Sequence, residues 1–163
     1  MIKVKFKIDG LMQKINRMIT LSGNLQPILM KIRGKARTTD PMTIIGGISS
    51  NFVSRGSFFQ KPWPDLTNDY AKYKAKKWPG QTMLRRTNKL FRSVTIPGAD
   101  GNVEILEPTR ISWGVDDSSI PYAKYLMTGT SRMKRRMFLG FNPEQKRQWK
   151  KLIAGYLKET EQV

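Results

Sequence analysis

Cysteine and histidine are both absent from these 163 residues, and that double absence limits the possible folds more than any residue the chain contains. No disulfide can staple the structure. The nitrogen–sulfur sites that organise small zinc domains lose their preferred ligands. The fold must therefore rest on a packed apolar core. Hydrophobic residues make up 39% of the chain, enough for one modest core and not for two, so a single domain over 1–163 is expected. The same absence narrows the chemistry. Thiolate nucleophiles are excluded, and the imidazole that serves most often as an acid–base group near neutrality is missing. Among the 12 Asp and Glu residues, Asp116 and Asp117 are the one adjacent pair. They stand in Asp-Asp-Ser-Ser, a turn sequence. No glycine-rich phosphate loop is present. We expect no catalytic residue, no metal and no cofactor, and an activity exerted by binding large partners.

Against that modest core stands a formal net charge of +18, from 30 Lys and Arg. Such a charge repels like copies and attracts anionic surfaces, whether nucleic acid or the acidic face of a protein. A membrane partner is not expected: no stretch approaches the ~20 apolar residues of a span, and no basic face is backed by aromatic anchors. Near the start, Lys3, Lys5 and Lys7 alternate with Val4, Phe6 and Ile8, unlike a secretory leader. A chain made and kept in the cytoplasm is the expectation.

That alternation over Ile2 to Ile8 predicts a strand with one wet face. Leu11, Ile15, Met18 and Ile19 predict a helix broken by Ser22-Gly23-Asn24, and a second helix runs from about Leu25 to Arg37. Asp40-Pro41 has the form of a helix start; beyond it Ile44, Ile45, Ile48, Phe52 and Val53 share a face, although Gly46-Gly47 weakens the prediction. A loop with Phe58, Phe59 and Trp63 follows. Thr67 caps a polar helix holding Tyr70 and Tyr73, and Thr82 to Ser93 is a further helix with Met83, Leu84, Leu90 and Phe91 on its apolar side. Val94 to Ile96, Val103 to Leu106 and Arg110 to Val115 predict a small antiparallel meander. A short helix over Pro121 to Met127 and a basic loop over Gly129 to Arg136 come next. Asn142-Pro143-Glu144-Gln145 combines a cap, a first-turn proline and a capping-box partner. It opens a final helix with Trp149, Leu152, Ile153, Tyr156 and Leu157 on one side. The architecture is α+β: N-terminal helices, a small antiparallel sheet, then a C-terminal helix.

Charge is unevenly placed. Eight cations and no acid lie between Lys72 and Arg92, and eight more, with Glu144 alone against them, between Arg132 and Lys151. Between Val94 and Ser131 acids outnumber bases. The helix cations Lys72, Lys76 and Lys77 read equally well as a solvated face or as a contact. Arg132, Lys134, Arg135 and Arg136, four cations in five residues, point more strongly to a partner. That partner is nucleic acid, or the acidic region of a neighbouring copy, where Asp116 and Asp117 would lie in a head-to-tail contact. Phe58 and Phe59 either close the core or anchor a neighbouring subunit.

Several segments, in order, resemble one family. Trp63-Pro64-Asp65-Leu66 with Thr67 and Lys72, then Met83-Leu84 through Leu90 and Ser93, are similar to its first two motifs. Trp113-Gly114-Val115 and Tyr122-Ala123 through Gly129 are similar to its third. Arg136-Met137-Phe138-Leu139-Gly140 before a long terminal helix is similar to its last. The set resembles the virion morphogenesis (tail completion) family of tailed bacteriophages, including Mu-like phages, over roughly the last hundred residues. The chain departs from the family pattern at Asn88, where the family has glycine, at Leu126 and Met127 in place of a His-Gln pair, and at Met137 in place of proline. The resemblance implies a structural part of the head–tail junction, assembled in the host cytoplasm and retained in the virion. It implies a ring, commonly hexameric, between the connector or head-completion protein and the tail tube or terminator proteins, with genomic DNA passing through its channel. Read from the residues themselves, Trp63, Trp113, Phe138 and Leu139 are core candidates, Leu66 and Ala123 belong to the same motif set, and Gly114, Gly129 and Gly140 serve turns or close approaches. Tyr122 packs with its hydroxyl at the surface. The competing function is that of a stand-alone nucleic-acid-binding protein, with Tyr70, Tyr73 and Trp78 as stacking platforms.

Overall fold

Two residues, Pro108 and Thr109, separate the two best strand candidates, which pair as a hairpin: β2 (Asn102–Glu107) runs antiparallel to β3 (Arg110–Val115). The computed structural model describes residues 2–5 and 24–160, the first four by backbone alone. In those four, β1 (Ile2–Lys5) adds to the other edge of β3, giving the sheet order β1-β3-β2 with Ile2 opposite Val115 and Lys5 opposite Ser112. The third strand is thus the N-terminal one and not the expected Val94 to Ile96. That segment ends a helix instead, because Val94 is fully buried at helical spacing from Leu90. The helix expected around Leu11 to Ile19 lies outside the described residues.

The remaining elements are α1 (Gln26–Arg33), α2 (Ile44–Val53), a 3-10 turn at Ser57–Phe59, α3 (Asn68–Lys77), α4 (Lys89–Thr95), α5 (Ala123–Thr128) and α6 (Pro143–Thr160). The expected class, α+β with N-terminal helices, an antiparallel sheet and a C-terminal helix, is the one observed. Several boundaries move for local reasons. Helix α1 stops at Gly34, whose φ of 84° is open to glycine and unfavourable for other residues. Helix α2 begins at Ile44, later than Asp40-Pro41 suggested, because Thr43 is its cap and accepts from the Gly46 amide at 3.0 Å. Asp40 caps a preceding turn through the Met42 amide. The helix expected over Thr82 to Ser93 shrinks to α4. Leu84 at φ 60° and Asn88 at φ 56° break the chain before Lys89. Asn88 thereby takes the left-handed conformation that asparagine tolerates.

The core is built from α1, α2, α4, β3, α5 and α6 with the 3-10 turn. Ile45 and Ile48 of α2, Val94 of α4, Val115 of β3 and Trp149 of α6 are essentially inaccessible. Burying each such aliphatic side chain contributes about 2 kcal/mol. Val53 and Leu152, expected on the apolar faces, are instead 79% and 46% exposed, one at the end of α2 and the other at the edge of the α6 stripe. Gly46-Gly47 has a packing reason. A Cβ on Gly46 would lie 1.8 Å from the Asp40 carbonyl oxygen, and one on Gly47 would lie 2.1 Å from Gln145 Nε2. The bare backbone is what lets α6 approach α2.

Gln145 completes that joint. Its Oε1 accepts from the Asn142 amide while the Asn142 side chain accepts from the Glu144 amide, the reciprocal cap expected from the sequence. Its Nε2 donates to the carbonyls of Pro41 and Thr43, at 2.8 and 2.9 Å. With no exposed surface, Gln145 has its amide satisfied from both sides. Asn51, equally buried, donates to the Met137 carbonyl and accepts from the Phe59 amide, tying α2 to the 3-10 turn and to the segment leading into α6.

Candidate functional site

The two basic runs, distant in sequence, meet across one open cleft of about 1160 Å³. Helix α3 and residues 82–89 form part of its wall, and the loop 130–136 closes the rest. Six cations reach it: Lys74, Arg86, Lys89, Arg132, Lys134 and Arg136. Asp65 is the one acid lining it. Between the cations lie Leu66, Met83, Leu84, Leu126 and Met133, with the rings of Tyr70 and Tyr122 at the margin. The cleft is thus cationic at its mouth and apolar on its floor.

The six cations are not equivalent. Lys74 is the one buried residue of an otherwise exposed helix, and its Nζ donates to the Thr82 carbonyl at 2.5 Å, fastening α3 to the following turn. Burial, and then the charge of Arg55, push its ammonium below the usual lysine range. Arg136 is also buried. Its guanidinium donates to the carbonyls of Pro64 and Asp65, each at 3.1 Å, and at 3.4 Å to that of Lys134. It is a structural clamp rather than the surface contact the sequence suggested. Burial lowers its affinity for the proton, with Tyr70 and Asp65 opposing. Lys89 pairs with Asp100 at 2.9 Å, and that hydrogen bond and charge hold the Asp100 carboxyl below its ordinary value. Arg86, Arg132 and Lys134 are exposed and have no carboxylate partner among the described residues. The Arg86 guanidinium sits 5.0 Å from the Trp78 ring. Burial raises the Tyr122 phenol above its usual value, with Arg86 and Lys89 pulling the other way.

The other predicted residues take varied places. Lys72, Lys76 and Lys77 are exposed on α3 outside the cleft. Lys77 lies 5.5 Å from the Tyr73 ring and 5.2 Å from that of Trp78. Arg135 is exposed, also outside the cleft. Phe59 is buried, which removes it as an anchor for a neighbour, and Phe58 is half-buried against the same core. Asp116 and Asp117 are half-buried in a turn. The Asp116 carboxylate accepts from the Ser118 amide and from the hydroxyls of Ser118 and Ser119, which holds its carboxyl below the ordinary range.

Trp63, Trp113, Ala123, Phe138 and Leu139 are core, as expected, and Leu66 packs partly against it. Tyr122 is 43% exposed, more open than a packed ring, because it borders the cleft. Gly129 ends α5 at φ 81°, and Gly140 faces the Phe59 ring, where a Cβ would sit 3.3 Å away. Gly114 is not in a turn but inside β3, opposite Lys3 and Val103.

Arg86 and the apolar floor escaped the sequence reading. Met83 and Leu84 read as the inner face of a long helix; the left-handed Leu84 turns that segment into cleft wall instead. Among the described residues no group of three or more acids could hold a metal ion, and no helix is long and apolar enough to cross a membrane. Comparison with family models, with curated proteins and with solved structures finds no match to this chain.

Proposed function

We propose that this chain is a structural protein of a phage head–tail junction. It acts in tail completion or as a neck or terminator piece, as a ring joining the capsid connector to the tail, without catalysis. The observation that carries this reading is the way its four family-like motifs hold one another. Trp63 Nε1 of the first donates to the carbonyl of Met137 in the last at 2.7 Å, and Arg136 reaches back to Pro64 and Asp65. Trp113 Nε1 of the third donates to the Val94 carbonyl just beyond the second, and the Arg136 amide donates to the Leu126 carbonyl. Residues set in this way build a shape for partners rather than a reacting centre. Arg132, Lys134 and Arg135 then face a neighbouring assembly protein or the DNA in the channel.

Solution mass after nuclease treatment, at moderate salt, tests the reading. A defined ring, or a monomer that forms one on adding tails or connectors, is the expected result. A monomer that ignores virion parts and binds DNA with a steep salt dependence overturns it. In particles, joint alanine substitution of Arg132, Lys134 and Arg135 is expected to lower infectious yield; normal yield refutes their role in assembly.

A second reading, a stand-alone nucleic-acid-binding protein, is favoured by one feature. Tyr70 and Tyr73, 44% and 50% exposed, run toward Trp78 with Lys77 and Arg86 against the rings, a surface on which bases could stack.

A further inference from the structure

Among the described residues Arg86, Arg132 and Lys134 of the cleft have no carboxylate partner, and five acids are engaged elsewhere. Glu104 pairs with Arg33 at 2.7 Å, Glu107 with Arg110 at 2.6 Å and Glu144 with Arg147 at 2.6 Å. Asp100 is taken by Lys89, and Asp116 by the serines of its own turn. Those five acids of a second copy would have to give up their partners to fill a mouth framed by Arg86, Arg132 and Lys134. At about 1160 Å³ the cleft also exceeds the ~300–1,000 Å³ of an ordinary small-molecule site.

The floor decides what kind of anion fits. Phosphates seek cations, and bases seek flat aromatic faces. Here the surface between the cations is mostly Leu66, Leu84 and Met133, half-buried, over Met83 and Leu126, with the exposed Tyr70 and Tyr122 beside them. Flexible methionine and leucine surfaces receive aliphatic side chains. Helix α3, exposed at every residue except Lys74, forms one wall and has no apolar face packed on its own core. Leu84, a bulky residue held at φ 60°, lies in the wall, and conformations of that kind recur at ligand clamps.

We infer that the cleft is the docking groove for an acidic amphipathic helix of a partner protein. Leucine-like residues of that helix settle on Leu66, Leu84 and Met133, and its carboxylates meet Arg86, Arg132 and Lys134, in the helix-in-groove mode. The inference rests on reading the chain as an assembly protein, but it is tested on the isolated protein and not on particles. A failure here with intact ring formation discards the groove alone.

The test measures binding of a labelled synthetic peptide of roughly 18 residues, with leucine at i, i+3, i+4 and i+7 and glutamate elsewhere. It is run beside a scrambled peptide of the same composition and an oligothymidine of about 20 nucleotides. The patterned peptide is expected to bind at least about tenfold more tightly than the scramble, because only it offers an apolar face. Joint charge reversal Arg86→Glu, Arg132→Glu and Lys134→Glu is expected to weaken it by about 30-fold or more. Met133→Asp is expected to weaken it by about tenfold. All four side chains are at least partly exposed, so unchanged thermal unfolding verifies that the variants fold. Equal binding of the scramble, binding indifferent to these substitutions, or no binding overturns the inference. Displacement of the peptide by oligothymidine, with the same dependence on Arg86, Arg132 and Lys134, makes the cleft a nucleic-acid site instead.

Discussion

Replacing Arg136 separates a structural cation from a surface one. Its guanidinium donates to the carbonyls of Pro64 and Asp65, both at 3.1 Å; the third contact, 3.4 Å to Lys134, is too long to count fully. A hydrogen bond from a charged donor contributes about 1.5–3 kcal/mol net. Water reaches the partly buried carbonyls once the side chain is gone, so the lower end applies to each bond. Arg136→Ala should therefore cost about 3 kcal/mol. For a domain of this size that is a fall in Tm of roughly 6–12 °C, and a lower urea midpoint at unchanged slope. Arg136→Lys keeps the charge without the fork and should recover no more than about 1 kcal/mol. Joint alanine substitution of the exposed Arg132, Lys134 and Arg135 should stay within about 0.5 kcal/mol of the parent. Urea titration followed by tryptophan fluorescence reads all three. If Arg136→Ala were as stable as the parent and lost only partner binding, the clamp would be refuted and Arg136 would rejoin the surface cations.

Gln145→Leu strands the Pro41 carbonyl and the Asn142 amide and leaves the Thr43 carbonyl with the Gly47 amide alone, and should cost about 2–4 kcal/mol by the same titration; a loss under about 1 kcal/mol would mean water replaces the amide. Gly47→Ala places a methyl against Gln145 and should destabilise by about 2 kcal/mol or more. Gly155→Ala, with nothing within 4 Å of the added Cβ, should stabilise α6 by about 0.5–1 kcal/mol, read as a rise in Tm. The carboxyls of Asp100, Asp116 and Glu144 all sit below their ordinary values, held by hydrogen bonds to Lys89, to Ser118 and to Arg147. The native state then binds fewer protons than the unfolded chain. That stability is present above the ordinary values of 3.8 and 4.5 and is lost as pH falls through the lower native ones. Acid unfolding of Lys89→Met should begin at a higher pH than in the parent, and coincident acid curves would count against the Asp100 pair.

How much of this is legible in the sequence depends on how far apart the deciding groups lie. The β2–β3 hairpin, the capped start of α6 and the core role of Trp63, Trp113 and Phe138 can be read directly, because period-2 alternation, caps and large apolar side chains act over a few residues. Asn88 is a similar case, since its left-handed backbone is a local property of its side chain. Chain separation hides the rest. The third strand joins from the N-terminus because β3 has a free edge, which nothing in Val94 to Ile96 reveals. Gly46 and Gly47 look like helix breakers until Asp40 and Gln145 come to meet them.

Charge shows the same division. Composition alone determines that the molecule carries a large positive excess, since net charge is a sum over residues and needs no fold. Which cations are available is decided only in three dimensions. Arg136 and Arg132 are indistinguishable as letters in a basic run. One is consumed by the carbonyls of Pro64 and Asp65, 72 and 71 residues away, and the other is left at the mouth of a cleft. Burial and hydrogen-bond partners belong to the packed chain, and they, rather than residue type, separate the cations that hold this protein together from those it can offer to another.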